Sequence, residues 1–224
     1  QLAHDVGKYI ARTARNLATD IVMDAELLTM LSRDLYGDDK AGRAPYLGGR
    51  TKERDMADAI LAGGCFWCTE AVFGQLAGVC KVESGYIGGT TQDPTYKQVC
   101  AGDTNHAEAI RVTYDPAVIS YADLLDVFFA THDPTQLNRQ GGDVGTQYRS
   151  AVFLVEGSER GEIEAAIARA QAERSEPIVT TIEGPATWWP AEGYHQEYWE
   201  GEGQRNPYCL AVIPPKLAKL RKGF

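Results

Sequence analysis

The segment that constrains the fold most is residues 59–76, where an apolar run, two glycines and a cysteine follow one another. Residues 59–62 are apolar throughout, and Gly63 and Gly64 end that run just before Cys65. Apolar side chains then recur at helical spacing, at Phe66, Val72, Phe73 and Leu76. This order predicts a strand, a tight turn and a helix, with Cys65 in the first helical turn.

A thiol in the first turn of a helix is well placed to react. It lies among backbone N–H groups that lack intrahelical partners, at the positive end of the helix dipole. Both features favour the thiolate, so we expect a lowered pKa for Cys65 and a role as a nucleophile. The alternative is a cysteine packed into the core, because free cysteine is among the most buried residue types.

Composition narrows the class of protein. A chain of 224 residues can hold one full-sized domain with an extension, or two small domains. Its net charge of −9, from 22 basic and 31 acidic residues, argues against a nucleic-acid-binding face and against an anionic membrane surface. No apolar run approaches the roughly 18 residues that a membrane span requires.

Cysteine usage indicates a reducing compartment. Five cysteines are too few, and odd in number, for a disulfide-stapled secreted scaffold of this length. A structural zinc site would need a second closely spaced cysteine or histidine pair, so we expect no metal. These features, and the lack of a visible signal sequence, predict a cytoplasmic protein. The chain begins at Gln1, which leaves open a targeting segment removed upstream.

Residues 1–55 differ from the rest of the chain. Apolar side chains recur at helical spacing between residues 14 and 36, and a glycine-containing loop follows. We expect a helical N-terminal extension, residues 1–55, that carries no chemistry and docks on the main domain or on a partner. The catalytic domain is then expected to span residues 56–224.

From residue 56 onward, patterns typical of strands and helices alternate. Strands are predicted at residues 56–62, 79–86, 108–114, 150–155 and 178–183. Helices are predicted at residues 65–76, 120–131 and 158–173. Ser120 and Asp123 have the spacing of a helix cap. The mixture favours a single two-layer α/β or α+β domain. A polar loop at residues 132–149 and an aromatic tail at residues 185–224 lack clear periodicity. Loops as long as the polar one are usually functional or disordered, and disorder is the less attractive alternative because this loop leads straight into a predicted strand.

With these segments in hand, the sequence resembles the A-type peptide methionine sulfoxide reductases over residues 58–210, with no match for residues 1–55. The matching residues occur in the family's order: Gly64-Cys65-Phe66-Trp67 with Glu70, Ser84-Gly85-Tyr86 with Gly88-Gly89, Pro94-Thr95-Tyr96, His106-Ala107-Glu108, Tyr114-Asp115-Pro116, His132-Asp133-Pro134-Thr135, Arg139-Gln140, Asp143, Gly145-Thr146-Gln147-Tyr148-Arg149-Ser150, and Ala191-Glu192 with Tyr194-His195-Gln196. The resemblance implies an α+β fold, a two-layer ferredoxin-like mixed sheet with flanking helices, long irregular loops and a C-terminal tail.

The resemblance also implies an activity and a site. The family reduces the S epimer of methionine sulfoxide, free or in proteins, to methionine. Position by position, the roles that it implies are a nucleophile, an acid that protonates the sulfoxide oxygen, two hydrogen-bond donors to that oxygen, an assisting carboxylate and an apolar slot for the methyl group: Cys65, Glu108, Tyr96 with Tyr148, Asp143, and Phe66 with Trp67. An acid working near neutral pH needs a raised pKa, so we expect Glu108 to be buried and protonated.

A second cysteine has to close the cycle, because attack on the sulfoxide leaves Cys65 as a sulfenic acid. Cys209 is favoured, since the family commonly keeps a resolving cysteine in a mobile C-terminal tail. Cys68, in a Cys-x-x-Cys pair with Cys65, is the alternative, although many family members have glycine there. Cys80 and Cys100 are expected to be buried bystanders.

The resemblance further implies thioredoxin, or dithiothreitol in the test tube, as the external reductant, with no bound cofactor. We expect a monomer. Asn105 replaces a family glycine before His106, in a turn that favours positive φ, a conformation that Asn tolerates best after Gly.

Two alternative functions would require fewer of these residues. A general thiol–disulfide oxidoreductase would use only Cys65 and Cys68. A redox sensor, or a module that binds oxidised methionine, would use Cys65 without turnover.

Overall fold

The computed structural model describes residues 56–155 and 160–223. Its main sheet has six strands in the order β7-β6-β1-β3-β2-β8. Their bounds are β1 Ala57–Gly63, β2 Val79–Ile87, β3 Ala107–Tyr114, β6 Ser150–Phe153, β7 Thr181–Glu183 and β8 Trp189–Pro190. All neighbouring strands are antiparallel except β6 and β7, which are parallel. A separate two-stranded hairpin joins β4, Arg139–Gln140, to β5, Asp143–Val144.

Helices flank the sheet. Their bounds are α1 Phe66–Phe73, α2 Tyr96–Ala101, α3 Tyr121–Thr131, α4 Arg160–Ala172 and α5 Pro207–Gly223. Short 3-10 helices occupy Thr146–Tyr148, Gly193–His195 and Glu202–Arg205. Helix α5 packs against α1 and α3, and α3 also packs against α4. The predicted α+β class, a mixed sheet with flanking helices, is confirmed.

Strand β1 lies near the middle of the sheet and is buried on both faces. Its residues alternate between two apolar clusters: Ala59 and Leu61 contribute to the large core on the helix side, and Ile60 and Ala62 to a smaller cluster on the other face. A strand buried on both faces reads as a continuous apolar run rather than an alternation. This explains why residues 59–62 are apolar throughout.

The predicted cap at the start of α3 is present. The Ser120 side chain accepts from the Asp123 N–H, and the Asp123 carboxylate accepts from the Ser120 N–H, forming a capping box. Helix α2 begins with the same arrangement between Thr95 and Gln98. That helix had no counterpart among the predicted elements, because six residues are too few to show a helical period.

The largest difference from the predicted elements is in the C-terminal tail. Residues 207–223 form α5, a regular helix, where an aperiodic tail was predicted. Its buried residues recur every three or four positions: Cys209, Ile213, Leu217 and Leu220. Pro214 and Pro215 lie inside this helix, and proline normally argues against a helix interior. Because of these two prolines, the helical spacing of the apolar residues did not lead to a predicted helix.

The predicted helix at residues 14–36 lies outside the described residues. Within residues 56–155 and 160–223, no helix is both long and apolar enough to cross a membrane.

Candidate active site

The turn between β1 and α1 places Cys65 at the edge of the core. Gly64 has φ of +92°, and a side chain there would collide with Gln140 at 2.6 Å, so glycine meets two requirements at once. Cys65 is the N-cap residue of α1 and is only 7% exposed. The predicted position at the start of a helix is therefore correct within one residue.

The predicted direction of the Cys65 pKa is wrong. A hydrogen bond with Cys68 and burial of the thiol raise the pKa of Cys65 well above its usual value, and the nearby Glu108 raises it further. The Trp67 N–H acts in the opposite direction and is outweighed. The Phe66 N–H, the first of the helix, donates to Glu108 rather than to the sulfur. The hydrogen bond with Cys68, together with burial, therefore outweighs the effect of the helix start at this site.

Glu108 lies on β3, directly beside the turn that carries Cys65. One of its carboxylate oxygens accepts from the Phe66 N–H at 3.1 Å, and the side chain is 1% exposed. Burial raises the pKa of Glu108 to about 8, helped by the negative charges of Asp143 and Cys68. The carboxyl group is therefore largely protonated at neutral pH, in agreement with the expectation from the sequence.

Tyr96 and Tyr148 approach Glu108 from two different segments. Tyr96 is the first residue of α2, and its N–H donates to Glu192 at 2.9 Å. Tyr148 ends the 3-10 helix Thr146–Tyr148. Burial raises the pKa of both phenols, and the charge of Glu108 adds to the rise in each. Both hydroxyl groups consequently keep their protons and remain hydrogen-bond donors.

Phe66 and Trp67 build an aromatic wall next to Cys65. The Phe66 ring is buried and stacks on Tyr96, with centroids 6.4 Å apart. The Trp67 ring is partly exposed and stacks on Tyr198, with centroids 4.0 Å apart. Its indole N–H donates to Nδ1 of His195 at 3.2 Å. The two residues thus differ: Phe66 is mostly core, and Trp67 offers accessible surface.

Two residues hold this wall in place, and neither was assigned a role from the sequence. The buried Glu70 carboxylate accepts from the N–H groups of Glu197 and Tyr198, which fixes the Tyr198 ring over Trp67. His195 contacts the rings of Phe66, Trp67 and Tyr96. Both residues belong to the motifs that match the family, and that membership is the sequence feature from which a structural role could have been predicted.

Asp143 lines a cleft that Cys65 also lines. The cleft has a volume of about 340 Å³, and its walls include Cys65, Cys68, Asp143, Tyr208 and Lys216. The Tyr208 hydroxyl donates a short hydrogen bond to Asp143. The role that the resemblance implies for Asp143 is in the oxygen-binding network; the hydrogen bond that its side chain makes is with Tyr208, and its charge reaches Glu108.

The remaining cysteines are not where the sequence placed them. Cys209 was expected in a mobile tail, but it lies in α5, fully buried in the main core. Cys80 and Cys100 were expected to be buried, but both are exposed. Cys80 lies at a bulge in β2, and Cys100 is on the outer side of the short helix α2, beside the Tyr96 hydroxyl. Of the other four cysteines, Cys68 is the one that is hydrogen-bonded to Cys65.

Asn105 has φ of +57°, as the turn before His106 was predicted to require. Within the described residues, no group of three or more His, Cys, Asp or Glu side chains is arranged to hold a metal ion.

Sequence comparison finds close relatives. The family model described as peptide methionine sulfoxide reductase matches residues 57–224. A peptide methionine sulfoxide reductase MsrA of Erwinia tasmaniensis is 69% identical over 166 residues, which cover 74% of this chain and 93% of the relative. One from Deinococcus radiodurans is 58% identical over 168 residues, covering 74% and 81%.

Solved structures agree. The reduced form of Mxr1 from Saccharomyces cerevisiae superposes with a TM-score of 0.63 at 35% identity, covering 66% of this chain and 87% of that one. Methionine sulfoxide reductase A of Corynebacterium diphtheriae gives a TM-score of 0.59 at 33% identity, covering 68% and 76%. With a buried cysteine and a protonated carboxyl group at one helix start, and with these relatives, the chain belongs to the A-type peptide methionine sulfoxide reductase family.

Proposed function

We propose that this chain reduces the S epimer of methionine sulfoxide to methionine, free or in proteins, with Cys65 as nucleophile and Glu108 as acid. The observation that carries these roles is the buried carboxyl group of Glu108, with a pKa of about 8, hydrogen-bonded to the residue after Cys65. A sulfoxide oxygen leaves sulfur only after it accepts a proton. An acid that is still protonated at neutral pH supplies one at that point.

The chemical step balances within the site. The Cys65 sulfur, as thiolate, attacks the sulfoxide sulfur while Glu108 protonates the oxygen. The substrate's sulfur–oxygen bond then breaks as the hydroxyl group passes to the Cys65 sulfur, and the transient bond between the two sulfurs breaks. Methionine leaves with its sulfur reduced by two electrons, and Cys65, oxidised by two electrons, is left as a sulfenic acid. Tyr96 and Tyr148 donate hydrogen bonds to the oxygen as its charge develops.

Substrate selection follows from the aromatic wall. The accessible face of Trp67, with Phe66 behind it, favours a methyl group over a hydroxyl or a charge. This arrangement supports the slot for the methyl group that the resemblance implies. The polar groups that recognise the oxygen lie on the Glu108 side.

We propose Cys68 rather than Cys209 as the resolving cysteine. The Cys68 N–H donates to the Cys65 carbonyl at 3.1 Å, and the two thiols are hydrogen-bonded. Cys68 can therefore attack the sulfenic acid with little rearrangement, forming a disulfide and releasing water. Cys209 would first have to leave the core face of α5. The structure supports reversing the preference drawn from the sequence.

The disulfide then needs an external dithiol, and thioredoxin is the reductant we propose from family membership. The remaining expectations also stand as proposals: residues 56–224 as the catalytic domain, residues 1–55 as an extension without chemistry, a monomer, no bound cofactor, and a cytoplasmic location.

The deciding experiment is a single turnover with one equivalent of methionine S-sulfoxide in the absence of reductant. We expect one methionine per chain and a Cys65–Cys68 disulfide by peptide mapping. Cys68→Ser should release methionine and accumulate a sulfenic acid that a dimedone probe traps. Cys209→Ser, the matched control, should close the disulfide as the parent does. A Cys65–Cys209 disulfide in the parent protein would overturn the assignment.

The same assay separates the rival functions. A general thiol–disulfide oxidoreductase would reduce insulin disulfides and would not need Glu108. A sensor or binding module would be oxidised, or would bind, without releasing methionine. Offering each sulfoxide epimer separately with dithiothreitol tests the stereochemical preference.

A further inference from the structure

Lys216 is a partly buried charged side chain beside the two cysteines of the proposed chemistry. It lies on α5 and lines the same 340 Å³ cleft as Cys65 and Cys68. Its ammonium donates to the Thr131 carbonyl oxygen, at the end of α3, at 2.8 Å. Among the described residues, no carboxylate forms an ion pair with it. Partial burial of an ammonium whose hydrogen-bond partner is a neutral carbonyl group costs free energy, which favours a role for its charge in the cleft.

The charged groups around Cys68 indicate that Cys68 is the electrostatic partner of Lys216. The titratable groups whose charge or hydrogen bond reaches it are Cys65, Glu108, Asp143, Tyr208, Cys209 and Lys216. Lys216 is the cation of that set. The hydrogen bond from Cys65 is the largest influence lowering the pKa of Cys68, and the charge of Lys216 lowers it further. In return, the charge of Cys68 is the largest influence opposing the lowered pKa of Lys216.

The other charged groups on the cleft walls do not compete for this role. Asp143 raises the pKa of Cys68 rather than lowering it, and its side chain accepts from the Tyr208 hydroxyl. Burial lowers the pKa of His132 to about 3, so that ring is neutral. Asp133 accepts from Thr135 and Gln136 within its own turn. Lys219, one turn further along α5, is exposed.

We propose that Lys216 is a positioning residue that holds Cys68 as a thiolate facing Cys65. This inference rests on the proposed function and deepens it. After methionine leaves, the Cys68 thiolate attacks the sulfur of the Cys65 sulfenic acid. The sulfur–sulfur bond forms, the sulfur–oxygen bond breaks, and the departing hydroxide takes up a proton to become water. Lys216 contacts none of the substrate atoms and acts only through Cys68.

The first test measures Cys68 directly and needs no activity. In a Cys65→Ser background, iodoacetamide alkylation of Cys68 is followed against pH by peptide mass spectrometry, which separates it from the exposed Cys80 and Cys100. Lys216→Met should slow alkylation at pH 7 by a factor of about three to ten and move the midpoint to higher pH. Lys216→Arg should restore the profile, since it keeps the charge.

Lys219→Met is the matched control, because it removes a lysine from the same helix and the same cleft at an exposed position. Its alkylation profile should equal that of the Cys65→Ser parent. Lys216→Gln serves as a second neutral variant if the methionine variant folds poorly, with near-ultraviolet circular dichroism as the check on folding. Either an unchanged profile in the neutral variants or failure of Lys216→Arg to restore it would overturn the proposal.

The second test separates this inference from the proposed function. In a single turnover, methionine release and disulfide closure are timed separately. Lys216→Met should close the disulfide about three to ten times more slowly and release the same amount of methionine. If the unmodified protein releases no methionine, the proposed function fails, whereas the alkylation profile still reports on Lys216. If methionine is released and closure is unaffected in Lys216→Met, Lys216 has no such role.

Discussion

At the scale of single residues, the site before substrate binding keeps Cys65 and Glu108, the proposed nucleophile and acid, neutral. Burial raises the pKa of Glu108 to about 8, and the hydrogen bond with Cys68, together with burial, raises that of Cys65. Burial contributes to both shifts, since charge is expensive where water is excluded, and the Cys68 hydrogen bond is the larger influence on Cys65. We infer that Cys65 gives up its proton only as the substrate arrives.

The pKa of Glu108 leads to a prediction about pH. The proposed mechanism requires the protonated acid, and the proton that Cys65 gives up replaces the one that Glu108 donates. The rate of methionine release in the first turnover should therefore be level below about pH 8 and fall above it. Rapid-quench measurements between pH 5 and 10 would show this. Glu108→Gln should lose a factor of about 10² to 10⁴ in that rate and should lose the limb near pH 8. An unchanged limb in Glu108→Gln would assign it to another group.

The pH dependence of the free energy of unfolding gives an independent test of the raised pKa of Glu108. Because the pKa of Glu108 is higher in the folded chain than its usual value of 4.5, the folded state binds the proton more tightly. Its contribution to the free energy of unfolding is therefore complete below about pH 4.5 and is lost as pH rises towards about 8. Urea unfolding of Glu108→Gln should lack that part of the decline.

At the scale of elements, local signals account for most of the strands and helices. The run at residues 59–62, the two glycines and the Ser120–Asp123 spacing each act within a few residues, and each predicted its element. The short helix α2 and the C-terminal helix α5 were not predicted from the sequence. The first has too few residues to show a period, and the two prolines interrupt the pattern of the second.

The capping box of α3 can be tested directly. Ser120→Ala removes the hydroxyl that accepts from the Asp123 N–H, leaving an unsatisfied donor at the helix start. We expect the free energy of unfolding to fall by about 1 kcal/mol in urea denaturation. Ser175→Ala is the matched control, because that hydroxyl bonds only to the neighbouring exposed Glu176 and caps no described helix. Equal stability of the two variants would contradict the assigned cap.

At the scale of the whole molecule, α5 connects the core to the site. One side of the helix buries Cys209, Ile213, Leu217 and Leu220, and another presents Tyr208 and Lys216 to the cleft. The helix therefore places Cys209 in the core and Lys216 on the wall of the cleft that Cys68 lines. Neither placement could be predicted from the sequence while residues 207–223 were interpreted as an aperiodic tail.

The proposed domain division predicts the outcome of a deletion. Because the family model matches residues 57–224, a chain beginning at Met56 should fold and keep its kcat/KM for methionine S-sulfoxide with dithiothreitol as reductant. Urea unfolding of this chain should remain a single cooperative transition. A large loss of kcat/KM in a folded deletion variant would show that residues 1–55 contribute to the site.

The sequence by itself was sufficient for the fold class, for the position of Cys65 at a helix start and for the burial of Glu108, because strand, turn and motif signals act locally or come with the family resemblance. Only the tertiary structure decided the direction of the Cys65 pKa and the exposure of the other cysteines, and it gave the grounds for preferring Cys68 to Cys209. Those properties depend on how much water reaches a side chain and on which charges face it. The groups that supply both, such as Glu108 and Lys216, lie 43 and 151 positions away from Cys65 along the chain.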